Sequence, residues 1–127
     1  MIDRYSRKEM KKIWELETKF KYYLDVELAV CRAYNKKGVI ADSILNEIIE
    51  KAAFSIDRID ELEKEVHHDL VAFLTNVNEN IGENSRYMHI GLTSSDVIDT
   101  ALALQIKDAR KIILEDLNIL IETLRNK

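Results

Sequence analysis

A chain of 127 residues with no proline and only three glycines has little choice but to be helical. Strand-rich folds turn often, and their turns draw on glycine for positive φ or on proline for a pre-set φ. Glycines stand here only at 38, 82 and 91, so the chain has few places to turn sharply. The length suits one domain and is too short for two substantial ones. Hydrophobic residues make up 46% and charged residues 33%, which supports a packed core and argues against disorder. The net charge of −4 does not suit a protein that coats a phosphate backbone, so no nucleic-acid partner is expected. The single cysteine, Cys31, cannot form an internal disulfide or complete a zinc site of the usual four-ligand kind. No apolar run reaches membrane-spanning length, and the N-terminus lacks a signal-peptide core. The expectation is an all-α, soluble, cytoplasmic protein with no membrane partner.

Periodicity divides the chain. Ser6 stands three residues before Glu9 and predicts a capping box. Ile13, Leu16, Phe20, Leu24, Leu28, Cys31 and Tyr34 then recur at helical spacing up to Gly38, with a break allowed between Trp14 and Thr18. A short helix after Asp42 or Ser43 turns Leu45, Ile48, Ile49 and Ala52 inward. After Ser55 one stripe runs from Ile56 to Ile81 and predicts a single helix ended by Gly82. Residues 83–91 lose the pattern and read as a loop. Thr93 and Asp96 make a second capping box for a helix with Ile98, Ala101, Leu102, Ala109, Ile112, Ile113, Leu117, Leu120 and Leu124 on its inner face. That pattern still runs at Leu124, three residues before Lys127, which predicts a fragment cut inside a helix.

The three histidines, His67, His68 and His89, precede the hydroxyl-rich run Thr93-Ser94-Ser95-Asp96. On a continuous helix His68 falls about 180–190° from the centre of the Val66/Leu70/Phe73/Val77 stripe and points away from its own core. A pair of solvated histidines satisfies that pattern. So does a proton-transfer site completed by further chain. Zinc fits worse, because adjacent histidines on a helix diverge by about 100°. Thr93 and Ser94 open a helix whose free N–H groups can cradle an anion, and Thr93 can equally do no more than cap. Asp96 and Asp99 would repel a second anion further in. Arg4 and Tyr5, just ahead of the first cap, offer a fork and a phenol that suit a phosphate. Trp14, Tyr22 and Tyr23 read as packing residues, and Cys31 as an inert core thiol.

MIDRYSRKEMKKIW, EKEVHHDLVAFL and RYMHIGLTSSDVIDTALALQ, in this order, resemble adenylosuccinate lyase of the fumarase/aspartase superfamily over essentially the whole chain. The resemblance implies an N-terminal helical domain over 1–92 and, over 93–127, the truncated start of a central-bundle helix. It implies a homotetramer whose sites are assembled from three subunits, with no cofactor and no metal. The implied reaction releases fumarate from adenylosuccinate to give AMP, and from the succinocarboxamide ribotide SAICAR to give AICAR. Carried over residue by residue, Arg4 and Tyr5 match phosphate contacts, and His67, His68 and Asp69 match a substrate-binding stretch. His68 is the implied catalytic participant, His89 matches a site position, and Thr93 and Ser94 match contacts to the succinyl part.

The sequence also departs from that pattern. The resemblance puts the principal acid and base beyond Lys127. One is the later histidine segment implied as proton donor. The other is the Met-Pro-Lys loop implied to supply the base, which a chain without proline cannot contain. The expectation is therefore a part-site, inactive alone. A non-catalytic helical interaction module with a lyase-like N-terminal domain stays open as the alternative. A small chorismate-mutase-like dimer suits the size but has no motif behind it.

Overall fold

The computed structural model describes residues 3–127, and every regular element among them is helical. A 3₁₀ turn over Asp3–Tyr5 leads into α1 (Lys8–Ile13), α2 (Leu16–Lys36), α3 (Asp42–Lys51), α4 (Ile56–Val66) and α5 (Asp69–Ile81). A 3₁₀ segment, Gly82–Tyr87, then precedes the long α6 (Ser94–Arg125). Helix α2 is the hub, packing against α1, α3 and α6, while α4 and α5 fold back on each other.

The core centres on three rings. Phe20 and Phe73 stack with centroids 5.6 Å apart and planes 4° from parallel. Tyr23 meets Phe73 edge-on at 5.6 Å, and Phe20 at 5.7 Å. All three are buried, and Cys31, Ile48, Ile59, Leu70, Val77 and Val97 extend the same cluster. Burying rings of this size gives α2 and α5 most of their mutual attraction. Helix α2 ends as its glycine predicts. Gly38 takes φ 75° and donates its N–H to the Asn35 carbonyl at 2.8 Å. Asn35 in turn donates to the Ile40 carbonyl and the Asp42 carboxylate, tying the end of α2 to the start of α3.

Several expectations are corrected. The N-cap of α1 is Arg7 rather than Ser6, which moves Glu9 off the box position. The break near Trp14 is real, but it leaves Trp14 and Leu16 exposed, at 45% and 48%, instead of packed; Ile49 is also exposed. The 83–91 segment is not all loop, since its first half is 3₁₀. The largest correction is to the single helix over 56–81, which is two helices broken at His67 and His68. His67 adopts left-handed backbone with φ 53°, and His68 is extended at φ −152°. A continuous helix of 26 residues would span about 39 Å and outrun the core. Broken, its halves pack against each other.

Helix α6 divides lengthwise. Val97, Ala101, Gln105 and Ala109 face α1 and α2, and the small side chains let the helices approach closely. Gln105 donates to the Ile13 carbonyl at 2.7 Å and so secures the end of α1. Tyr22 on α2 hydrogen-bonds Asp108. Leu102, Ile113, Leu117, Leu120 and Leu124, expected inside, are exposed together with Ile106, Leu114, Ile119 and Ile121. Asn126 caps the helix, its N–H bonded to the Glu122 carbonyl at 3.1 Å. Helix α6 thus reaches to within two residues of Lys127, the last residue of the given sequence.

Because Phe73 touches both other rings and has no exposed surface, Phe73→Ala should destabilise the chain by about 3–5 kcal/mol, among the largest effects of any single substitution. Urea unfolding should show a lower midpoint at an unchanged slope. A loss below about 1 kcal/mol would mean that the ring cluster is not the core's centre.

Candidate functional site

The break between α4 and α5 puts both histidines at a corner. The His67 N–H closes α4 on the Glu63 carbonyl at 2.8 Å, and its left-handed backbone turns the chain. His68 is then the N-cap of α5, with Nδ1 accepting a long bond, 3.5 Å, from the Val71 N–H. Asp69 occupies the first turn, where the helix dipole favours a carboxylate, and accepts from the Leu70 N–H at 2.7 Å. The outward position expected of His68 is observed, since its side chain is 46% exposed. The reason is a cap and not a helical wheel.

The same corner reaches α6. His68 Nε2 lies 3.5 Å from Ser94 Oγ, and His68 Nδ1 lies 3.7 Å from Asp69 Oδ1. Lys19 of α2 places Nζ 3.4 Å from Asp69 Oδ2 and over the rings of Phe20 and Tyr23. Burial works against the Lys19 charge, but Tyr23 and Asp69 outweigh it and hold its pKa above the ordinary lysine value. Lys19, His67, His68 and Asp69 share the wall of an open hollow of about 550 Å³ with Asp60 and Glu63. A titratable imidazole, a hydroxyl, a cation and a carboxylate thus converge where three helices meet.

The remaining predicted site residues divide. Thr93 is committed to its cap: the Thr93 N–H and hydroxyl both donate to Asp96 Oδ2, at 2.7 and 3.1 Å. Ser94 is left as the hydroxyl that faces His68. His89 lies in the segment before α6, with φ 59°. It is held by Glu27, whose Oε2 accepts from the His89 N–H at 2.9 Å, with Oε1 2.6 Å from Nδ1. Arg4 lies over the Tyr5 ring, 4.8 Å from its centroid, and Tyr5 is 73% exposed. Among the described residues no hydrogen bond or ion pair joins that pair to His67–Asp69 or to Thr93–Ser94. Lys127, the limit beyond which the resemblance puts the principal acid and base, is itself no part of this corner. It stands past the far end of α6, roughly 50 Å of helix away from Ser94. Cys31 is buried against Met88, and burial raises its thiol pKa to about 11, as suits an inert core residue.

A family model described as Lyase matches residues 3–127. The chain belongs to that lyase family. It is 51% identical over all 127 residues to an adenylosuccinate lyase of Helicobacter pylori, covering 29% of that protein. It is 52% identical over 125 residues to one of Synechocystis, again 29% of its length, and 44% identical to one of Bacillus subtilis, covering 30%. The crystal structure of a fumarate lyase from Mesorhizobium superposes with a TM-score of 0.71 at 25% identity, over 78% of this chain and 24% of that one. The chain therefore spans under a third of the relatives it matches, and the all-α fold is one found in a solved lyase.

Two residues that hold these candidate side chains in place are not predicted from the sequence. Lys19 carries no local signal, because its importance comes from Asp69, fifty positions away. Glu27 did carry one. It falls four residues after Tyr23 and four before Cys31, an acid in the middle of an apolar stripe.

The start of α6 should depend on pH through Asp96. Its carboxylate accepts from the Thr93 N–H and then from the Thr93 hydroxyl, and its pKa lies below the usual aspartate value. A depressed carboxylate contributes stability that is full above its unfolded pKa and lost as pH falls through the folded one. The protection of the first-turn amides of α6, taken relative to their intrinsic exchange rates, should therefore fall below about pH 4, and Asp96→Asn should abolish that acid limb. An acid limb of the same size in the variant would assign the dependence to another carboxylate.

Proposed function

We propose that this chain is the N-terminal part of an adenylosuccinate lyase. On this reading the full enzyme eliminates fumarate from adenylosuccinate to leave AMP, and from SAICAR to leave AICAR. The observation that carries it is the meeting of His68 and Ser94 at 3.5 Å, beside an open hollow, in a chain about half identical to such lyases along its entire length.

Elimination needs one group to remove a proton from carbon and another to protonate the departing nitrogen. Within this chain His68 is the group suited to move a proton or to bind the developing charge, with Asp69 and Lys19 fixing its surroundings. Ser94 sits in the first turn of α6, where free N–H groups and the helix dipole favour a carboxylate such as those of the succinyl part. Arg4 and Tyr5 would take the phosphate and His89 a further part of the nucleotide, once other segments close over the hollow. The carbon base and the principal acid belong to segments of the longer enzyme beyond Lys127, so the site is divided between this part and the rest.

The same reading accounts for α6. Leu102, Ile106, Ile113, Leu117, Leu120 and Leu124 are exposed and keep close to a seven-residue rhythm, the pattern of a bundle seam. We assign residues 1–92 to an N-terminal domain and 93–127 to the beginning of a central bundle shared by four subunits in the cytoplasm. No helix among the described residues is long and apolar enough to cross a membrane.

In the full-length enzyme, His68→Gln should lower kcat/KM by about two to four decades while leaving the thermal midpoint nearly unchanged, since the cap bond it gives up is long. Large destabilisation with near-normal kinetics would make His68 structural. Arg4→Lys should raise KM at an unchanged melting temperature, because a point charge cannot reproduce the guanidinium fork. Purified alone, the 127-residue chain should be helical by circular dichroism and release no fumarate. Turnover by the isolated chain would show that base and acid are both present in it.

A further inference from the structure

Glu27 lies in the middle of α2 with no exposed surface, and it is the only fully buried acid among the described residues. A buried carboxyl is tolerated only when its oxygens are satisfied. Both oxygens go to one residue: Oε2 to the His89 N–H at 2.9 Å and Oε1 to His89 Nδ1 at 2.6 Å. The first bond helps to hold His89 in its left-handed backbone, and the second orients the ring. A carboxylate only accepts, so Nδ1 must donate, and the nitrogen left over is Nε2. The His89 side chain is 26% exposed while Glu27 is sealed, so the edge bearing Nε2 is what the ring presents outward. His89 stands five residues before Ser94, the first residue of α6.

We propose that Glu27 is a positioning residue that locks His89 with its proton on Nδ1, so that Nε2 meets the bound nucleotide as a hydrogen-bond acceptor for one of its N–H or O–H groups. Glu27 itself does not touch the substrate. The proposal rests on the functional reading that His89 faces the substrate, and it adds the residue that sets the nitrogen used.

Glu27→Gln separates this role from a merely structural one. The glutamine carbonyl can still accept from the His89 N–H, but its amide would donate to Nδ1 and drive the ring proton to Nε2. The shape is kept and the tautomer reversed. The first test needs no substitution. Nitrogen-15 spectra of the histidines in this chain at about pH 9, above the ordinary imidazole range, should show His89 protonated at Nδ1. A proton on Nε2 would overturn the proposal, whether or not any variant folds. In the full-length lyase, Glu27→Gln should switch the His89 signature to Nε2–H. It should also lower kcat/KM by about 10- to 100-fold at a nearly constant melting temperature, the usual size of effect for a partner that orients a histidine. A switched tautomer with kcat/KM within about twofold of the parent would show that the orientation is not used. A parent enzyme with no turnover of adenylosuccinate would instead sink the functional reading, and the spectrum of the unsubstituted chain would still decide what Glu27 holds.

Discussion

Stacking of Phe20 on Phe73, closed at the edge by Tyr23, couples α2 to α5, and the positions of the candidate site residues follow from it. With α5 pinned by its ring, its first residue has a fixed place, and His68 is the cap immediately before that residue. The residue preceding Phe20 is Lys19, whose ammonium rests on two aromatic faces and reaches Asp69. One face of α2 therefore supplies the core, and its margin supplies a cation to the site. Loosening the rings would shift His68, Asp69 and Lys19 together, which is why stability and site geometry are linked here.

Polar bonds complete what the core begins. Asn76, buried in α5, accepts from the Ser55 N–H at 2.8 Å, and Asn80 donates to the Ala53 carbonyl at 3.0 Å, so the turn before α4 is bound to α5. Glu27 does the same for the segment before α6, through the backbone and ring of His89. Gly91 then allows a close passage: a Cβ there would lie 2.9 Å from the Tyr34 hydroxyl, and φ is 71°. The start of α6 is fixed from both sides, by His89 before it and by the Thr93–Asp96 box within it. Ser94 meets His68 because two independently anchored pieces converge.

Membership of the lyase family gives this arrangement a context. Helix α6 has two unlike faces, with Val97, Ala101 and Ala109 buried against α1 and α2 and a longer row of apolar residues exposed. The chain spans under a third of the relatives it matches, and in it the hollow beside His68 is open and the outer apolar row of α6 is exposed.

The absence of proline, the glycine at 38, the helical stripes and the Thr93–Asp96 box were sufficient to specify an all-α chain, most helix ends and the grouping of His67, His68, Asp69 and Ser94 as candidates. These are local matters: which dihedrals are accessible, which backbone groups lack partners, and which residues share a face. The break at His67 was not legible, because neither proline nor glycine marks it and the apolar stripe runs across it without a fault. Only packing of α4 back onto α5 makes a left-handed histidine worth its strain. The same holds for the inner face of α6, where the sequence shows large apolar residues and the fold selects small ones, since close approach to α2 excludes bulk. Lys19 and Asp69 are fifty residues apart, and Glu27 and His89 sixty-two; no periodicity reports such pairs. The sequence determined which residues could do chemistry. The tertiary structure decided which of them meet, because a contact between distant residues exists only once the core has set the distance between their helices.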